Sequence, residues 1–432
     1  MNTVLLKLSY VNVSTSVLAL ALGIGLFGMS WSASGKAAEK NTISSAESLA
    51  RLHTQSRSKD FSAWLVKFKE RALLAGISHT TLEKTLNDIR YNQQVIRLDR
   101  RQSDFTRTIG EYLERSVTPE RIAGGKKAML RHQVVLNKLS KRYGVEKEVI
   151  VAIWGLETSY GGYMGKSSTI RSLATLAYDG RRSAFFENEL IEALKILQNG
   201  DITLNKMIGS WAGAMGHTQF MPSSFNSYAV DFDGDGRRNI WSKNPTDALA
   251  SAAAYLQNFG WISNQRWAIE VQLPDGFDLA LANPGIRKSP IEWEKSGISS
   301  ADKQAFNSMG NATLFLPAGE TGPALMVSQN FEAIRKYNVT PTYIMATGLL
   351  SDALAGRSGN FVSSWPNNAR LLSLSERKDM QKLMYEAGFD PKRYDGKIDT
   401  RVITAVQAYQ SANGLPPDGY PSPTFLERLR QK

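Results

Sequence analysis

Between Val149 and Gly161 the chain runs Val-Ile-Val-Ala-Ile-Trp-Gly-Leu-Glu-Thr-Ser-Tyr-Gly, an apolar segment with a single acidic residue near its end. Val149, Ile153, Leu156 and Tyr160 recur at helical spacing. Glu157 lies one turn beyond Ile153 and two beyond Val149, so it belongs to the core-facing stripe of a helix. Gly161-Gly162 predicts the helix end just past it. Partial desolvation and the negative end of a helix dipole both favour the protonated carboxyl. A carboxyl that keeps its proton near neutral pH suits general acid catalysis. The plainer alternative is a Glu that bonds only backbone or an Arg at a helix end.

The 432 residues, 42% hydrophobic and 21% charged, suffice for two or three globular domains. Lys7 precedes an apolar run from Val17 to Phe27, and small residues follow (Ser30, Ser32, Ala33, Gly35, Ala37). The run is short for a membrane span and matches a secretory core, with an uncleaved anchor as the alternative. The sequence contains no cysteine. That excludes disulfides, thiol catalysis, Cys-based zinc sites and a lipid-modified Cys. The expectation is an exported, soluble periplasmic protein that is not a lipoprotein. The formal charge of +12 favours an acidic partner. No nucleic-acid recognition motif is present, and a polyanionic cell wall fits export better. Solubility alone could also account for the charge.

Residues 1–35 read as a signal peptide and 36–58 as a polar linker. Helical patterns follow from Phe61, over Val134–Tyr143, Val149–Tyr160, Phe185–Leu197 and the Ala-rich Asp247–Phe259. Strand-like patterns occupy Ile269–Pro274, Thr313–Pro317 and Ala324–Val327. Helix returns over Phe331–Tyr337 and Thr340–Leu354. A polar stretch, 356–370, marks a domain boundary before a small unit at 371–432. That unit holds helices over Glu376–Glu386, from Asp399 or Thr400 to Ala412, and over Thr424–Arg430.

Three further motifs carry chemistry. Ser210-Trp-Ala-Gly-Ala-Met-Gly-His-Thr-Gln219-Phe-Met-Pro-Ser223 combines glycines, which allow close backbone approach, with hydroxyl and amide groups suited to sugar hydroxyls and acetamides. Its aromatics, Trp211 and Phe220, are better read as core. Asp231-Phe-Asp233-Gly-Asp235-Gly236 places oxygen ligands at alternate positions with Gly at the sixth, as in a calcium loop. Ser242 stands where such a loop expects Glu, and Asp247 could close the shell; a plain Asp-Gly turn is the alternative. Tyr255, Tyr337 and Tyr343 are scattered, and sequence alone reads them as surface or half-buried residues.

Taken together, Glu157-Thr158 with Tyr160-Gly161, Ala212–Gly216 with Gln219–Pro222, the aspartate loop, and Tyr337-Asn338 ahead of Tyr343 resemble the lytic murein transglycosylase B family. The resemblance spans about residues 60–355. It implies a mainly α (α+β) fold over 59–355: a lysozyme-like core, an added helical lobe and a small β-rich lobe. It also implies cleavage of the β-1,4 bond between N-acetylmuramic acid and N-acetylglucosamine without consumption of water, leaving a 1,6-anhydromuramoyl end. By position, Glu157 becomes the single acid/base. Ser210, Gln219, Tyr255, Tyr337, Tyr343 and Tyr112 line the glycan cleft. Arg181 and Arg182 match a pair suited to stem-peptide carboxylates. Asp231, Asp233, Asp235 and Asp247 match structural Ca2+ ligands, although the spacer before Asp247 is slightly longer than in some relatives. No cofactor is implied for catalysis.

The unit at 371–432 resembles the three-helix peptidoglycan-binding domain, through Asp395-Gly396, Ala405–Gln410, Asn413-Gly-Leu415 and Asp418-Gly419. Expected partners are peptidoglycan glycan strands, with other cell-wall enzymes open and no nucleic acid; a monomer is expected. A hydrolytic muramidase of the same fold and a non-catalytic wall-binding scaffold are the alternatives.

Overall fold

The computed structural model describes residues 60–101, 107–303, 305–367 and 369–431. The expected signal peptide and first linker lie outside them. The described chain begins with α1 (60–74), α2 (His79–Leu86) and α3 (Gln93–Arg101). Next come α4 (Ile109–Ser116), α5 (Pro119–Arg131), α6 (Gln133–Tyr143) and α7 (Lys147–Thr158). Local chemistry sets several starts. Thr108 and Glu111 form a reciprocal capping box on α4, and Thr118 caps α5 with Pro119 in its first turn. A two-residue antiparallel pair, β1 (Ser167–Ser168) with β2 (Ile208–Gly209), brackets α8 (Thr169–Asp179) and α9 (Ser183–Gln198). The helices α10 (Pro222–Tyr228) and α11 (Thr246–Asn258) follow.

The β-rich lobe comprises β3 (Ala268–Gln272), α12 (Pro290–Lys295), β4 (Ser299–Ser300), β5 (Thr313–Phe315) and β6 (Ala324–Val327). Its sheet is antiparallel with order β4-β3-β6-β5, and Ile269 and Leu314 both pair with Met326. Trp293, Phe306 and Met309 fill the core of this lobe. The chain then returns to the helical body through α13 (Gln329–Tyr337) and α14 (Pro341–Leu354).

At the centre, α7 packs against α14, α5, α6 and α11. The sequence pattern predicts one buried stripe on α7, yet every residue from Val149 to Gly155 is buried. A helix apolar on all sides belongs inside a core. On α14 burial is likewise unbroken from Thr342 to Leu354. These two helices carry Glu157 and Tyr343.

The C-terminal helices α15 (Leu374–Glu386), α16 (Thr400–Ala412) and α17 (Pro423–Arg430) enclose their own core of Met380, Met384, Val402, Val406, Tyr409 and Phe425. Ser373 caps α15, Asp399 caps α16 and Ser422 caps α17. This unit is docked on the β-rich lobe. Asn283 donates to Gln407 Oε1 (2.8 Å) and Thr404 Oγ1 (3.0 Å), and the Glu320 amide donates to Asp418 (3.1 Å). The connecting segment is also packed down. Phe361 and Trp365 lie against the main core, the Ser363 amide donates to Glu270 (2.8 Å), and the Val362 amide donates to the other oxygen of that carboxylate. Its polar composition hid two aromatic anchors.

Candidate active site

The site is built on the way α7 ends. The last helical residue is Thr158, and Ser159 (φ 50°) and Tyr160 (φ 62°) are both left-handed. The helix therefore stops earlier than Gly161-Gly162 suggests, and two non-glycine residues bear the strain. Side-chain bonds hold this conformation. Thr158 Oγ1 donates to the His217 carbonyl (2.7 Å) and accepts the Gly161 amide (3.1 Å). Tyr160 folds back, donates to the Arg121 carbonyl (2.6 Å) and fills a slot floored by Gly124, Gly125 and Gly155. A Cβ on Gly155 would lie 2.6 Å from the Tyr160 hydroxyl.

Glu157 precedes this turn. Tyr343, only 3% exposed, donates to its Oε1 at 2.6 Å. Oε2 is buried and has no partner, although the residue as a whole is half-buried. Burial pushes the Glu157 pKa up to about 8, against the lowering effect of the Tyr343 hydroxyl. Three tyrosines feel this carboxyl. Burial, and then the nearby Glu157 charge, push Tyr112 up to about 12, and raise Tyr337 and Tyr343 well above the usual phenol range. Tyr337 donates to the Thr218 carbonyl (2.6 Å), and its ring meets that of Tyr255 edge-on at 5.0 Å. Tyr255 donates to the Lys336 carbonyl (2.6 Å), and burial raises its pKa. The surface or half-buried reading of these tyrosines fails for Tyr255 and Tyr343. Both are core residues, because each phenol finds an internal partner.

Ser210 and Gln219 lie on the folded segment between β2 and α10. Ser210 Oγ accepts the Ala214 amide (3.0 Å), and Met215 bridges Phe220 in antiparallel fashion. Gln219 is left-handed (φ 51°), and its amide donates to the carbonyls of Gly216 (2.9 Å) and Met164 (3.3 Å). Both side chains are half-buried. Phe220 is core, as its type suggests, and Trp211 is packed at the core edge. Arg181 and Arg182 form a separate basic corner. Both donate to Asp99 Oδ1 (2.6 and 3.2 Å), a buried carboxylate on α3 that sequence reasoning did not single out. One acid between two guanidiniums leaves net positive charge there.

In the aspartate loop, ligand oxygens of Asp231, Asp233 and Asp235 all lie within 4.8 Å of one another, and all three residues are exposed. Three hard carboxylates so close repel unless a cation joins them, which fits an oxygen-liganded Ca2+. Asp247 lies outside this trio. Its Oδ1 accepts the amides of Phe232 (2.9 Å) and Asp233 (3.3 Å), and its Oδ2 accepts that of Asn239 (2.9 Å). Only 2% exposed, Asp247 folds the loop from inside.

Among the described residues no helix is long and apolar enough to cross a membrane. Residues 60–352 match the Transglycosylase SLT domain family, and residues 373–429 match a peptidoglycan binding domain. Membrane-bound lytic murein transglycosylase B of Escherichia coli K12 is 33% identical over 254 residues, covering 56% of this chain and 66% of that protein. SltB3 of Pseudomonas aeruginosa, solved in complex with NAG-anhNAM-pentapeptide, is 45% identical with a TM-score of 0.79, over 86% of this chain and 99% of that one. Escherichia coli Slt35, solved in complex with calcium, is 28% identical with a TM-score of 0.56, over 69% of this chain and 93% of that one. The chain belongs to the Transglycosylase SLT family of lytic transglycosylases.

Proposed function

We propose that this lytic transglycosylase cleaves the β-1,4 bond between N-acetylmuramic acid and N-acetylglucosamine with Glu157 as its sole acid and base. The observation that carries this reading is the division of labour within one carboxyl. Oε1 is engaged by Tyr343, whereas Oε2 is buried and unpartnered. The proton therefore belongs on Oε2, from which it can be given to a glycosidic oxygen. As that oxygen leaves the anomeric carbon, the muramoyl 2-acetamido oxygen stabilises the cationic centre. The Glu157 carboxylate, steadied by the Tyr343 hydroxyl, then takes the proton of the muramoyl 6-hydroxyl. O6 closes on the anomeric carbon, and the acid is regenerated with no water consumed. Burial favours the protonated form that this acid role needs.

Ser210, Gln219, Tyr112, Tyr255 and Tyr337 are assigned to the glycan cleft, and Arg181 with Arg182 to stem-peptide carboxylates. The binding of an anhydromuramoyl product by a 45% identical relative supports this substrate class. The leader-like run Val17–Phe27 supports a periplasmic location, where this substrate lies. Digestion of purified sacculi followed by mass analysis tests the reaction. Products one water lighter than reducing-end muropeptides are expected, and reducing ends as the main product would instead make the enzyme a muramidase.

Asp231, Asp233 and Asp235 are assigned to Ca2+, which would tie the loop together rather than enter the chemistry. Calcium is expected to raise the melting temperature, and Asp233→Ala to remove most of that increment. Asp247→Asn is expected to lower it with or without chelator, because the three loop amides lose a buried charged acceptor. A melting curve indifferent to calcium and chelator would remove the metal assignment.

A further inference from the structure

His217 lies inside the glycine-rich segment, only 5% exposed, and has so far entered only through its carbonyl. Its ring is bonded at both nitrogens. Trp154 Nε1 donates to Nδ1 at 3.1 Å, and Nε2 lies 2.7 Å from the Ser242 carbonyl. The indole can only donate and the carbonyl can only accept. The ring is therefore the neutral tautomer with its proton on Nε2. The backbone repeats the connection: the His217 amide donates to the Ile240 carbonyl (3.0 Å), and the His217 carbonyl accepts Thr158 Oγ1 (2.7 Å). Trp154 and Thr158 flank Glu157 on the last turn of α7. Ile240 and Ser242 belong to the turn that leaves the aspartate loop, next to Asn239, whose amide is held by Asp247. A Cβ on Gly161 would lie 2.5 Å from His217 Cε1, so the chain after α7 is moulded onto this ring.

We propose that His217 is a positioning residue that locks the last turn of α7, and so the Glu157 carboxyl, to the segment leaving the aspartate loop. Four hydrogen bonds on one residue join the two. The proposal rests on Glu157 being the acid. Glu157 is far less tolerant of displacement than a binding residue, since a shift of about 1 Å in a reacting group can cost about a hundredfold in rate. Burial lowers the His217 pKa against the raising effect of the Ser242 carbonyl, and His132, edge-on to the same Trp154 indole at 5.5 Å, adds to the lowering.

The test compares His217→Phe, His217→Asn and His217→Gln in the full-length protein, with Glu157→Gln as reference. Phe keeps the ring volume and loses both bonds. Asn keeps an acceptor near the Nδ1 position, facing Trp154. Gln keeps a donor toward Ser242 and no longer accepts from the indole. The expected result for Phe is a fall in kcat of about ten- to a hundredfold with KM within about twofold. Asn is expected to recover most of the loss, and Gln less. The alkaline limb of the kcat/KM profile should move down in Phe, as a loosened α7 admits water to Glu157. Should Phe fail to fold, the Asn-to-Gln ranking in kcat decides by itself. Wild-type kcat in Phe or Gln overturns the proposal, as does an equal loss in Asn and Gln. Substantial turnover by Glu157→Gln would instead overturn the assignment of the acid, and is read separately.

Discussion

Replacing Glu157 with Gln is expected to cut turnover of sacculi by about 10²–10⁴-fold, the usual contribution of a general acid. The same change should improve the protein's relative stability as pH rises. In the native state burial holds the Glu157 proton up to a pKa of about 8, against an ordinary value of 4.5. Between those values the native state binds more protons than the unfolded chain, so stability falls as pH rises through this window and levels off above it. The cost at pH 7 is up to about 3 kcal/mol. Gln carries no such proton and escapes this cost, although its buried amide is left without an acceptor, which takes back about 1–3 kcal/mol. The gap in melting temperature, Gln minus wild type, should therefore widen steadily from pH 5 to pH 8. Over the same range wild-type kcat/KM should hold, then fall above about pH 8 as the acid form is lost. A gap that does not change with pH would mean that Glu157 is solvated and titrates normally.

A chain ending at Gly359 is expected to be less stable than one ending at Leu371, on the order of 5 kcal/mol. Helix α14 is complete by Leu354, so the polar stretch beyond it invites a cut. That cut removes Phe361 and Trp365 from the main core. It also strips Glu270, 8% exposed, of the two backbone amides that hold its carboxylate. An unpaired charge at a buried strand position is the costlier loss. Urea unfolding of the two chains gives the difference directly, and equal midpoints would show the segment to be mere tether. Both chains lack α15–α17. The longer one should still cleave small muropeptide oligomers yet act less well on intact sacculi, where the docked wall-binding module adds local concentration.

Much of this architecture was legible because local signals agreed. The Phe185–Leu197 periodicity is α9 nearly end to end, and Asp399 does cap α16. Strands β5 and β6 fall within the stretches that the apolar pattern marked, and β3 begins one residue ahead of its own. The short β4 escaped because two serines carry no apolar pattern. At the site, Glu157 stood out because a charge in an apolar run is costly and so conspicuous. The tyrosines did not, since a phenol reads the same whether its hydroxyl meets water or a carbonyl. Asp99 and His217 were hidden for a related reason. Their importance lies in partners 23 to 83 residues away in sequence, which no local window contains. The early end of α7 was missed because the cause is tertiary: Tyr160 is drawn out of the helix by a slot on α5.

That tyrosine behaves like a dowel between two beams. Its ring passes from the end of α7 into a recess made by glycines on both helices, and its hydroxyl is fastened to the far side at Arg121. Neither helix can slide along the other without first withdrawing the ring. The acid-bearing helix and α5 therefore move as one rigid body, and any hinge the enzyme uses to admit or release a glycan strand lies outside this pair.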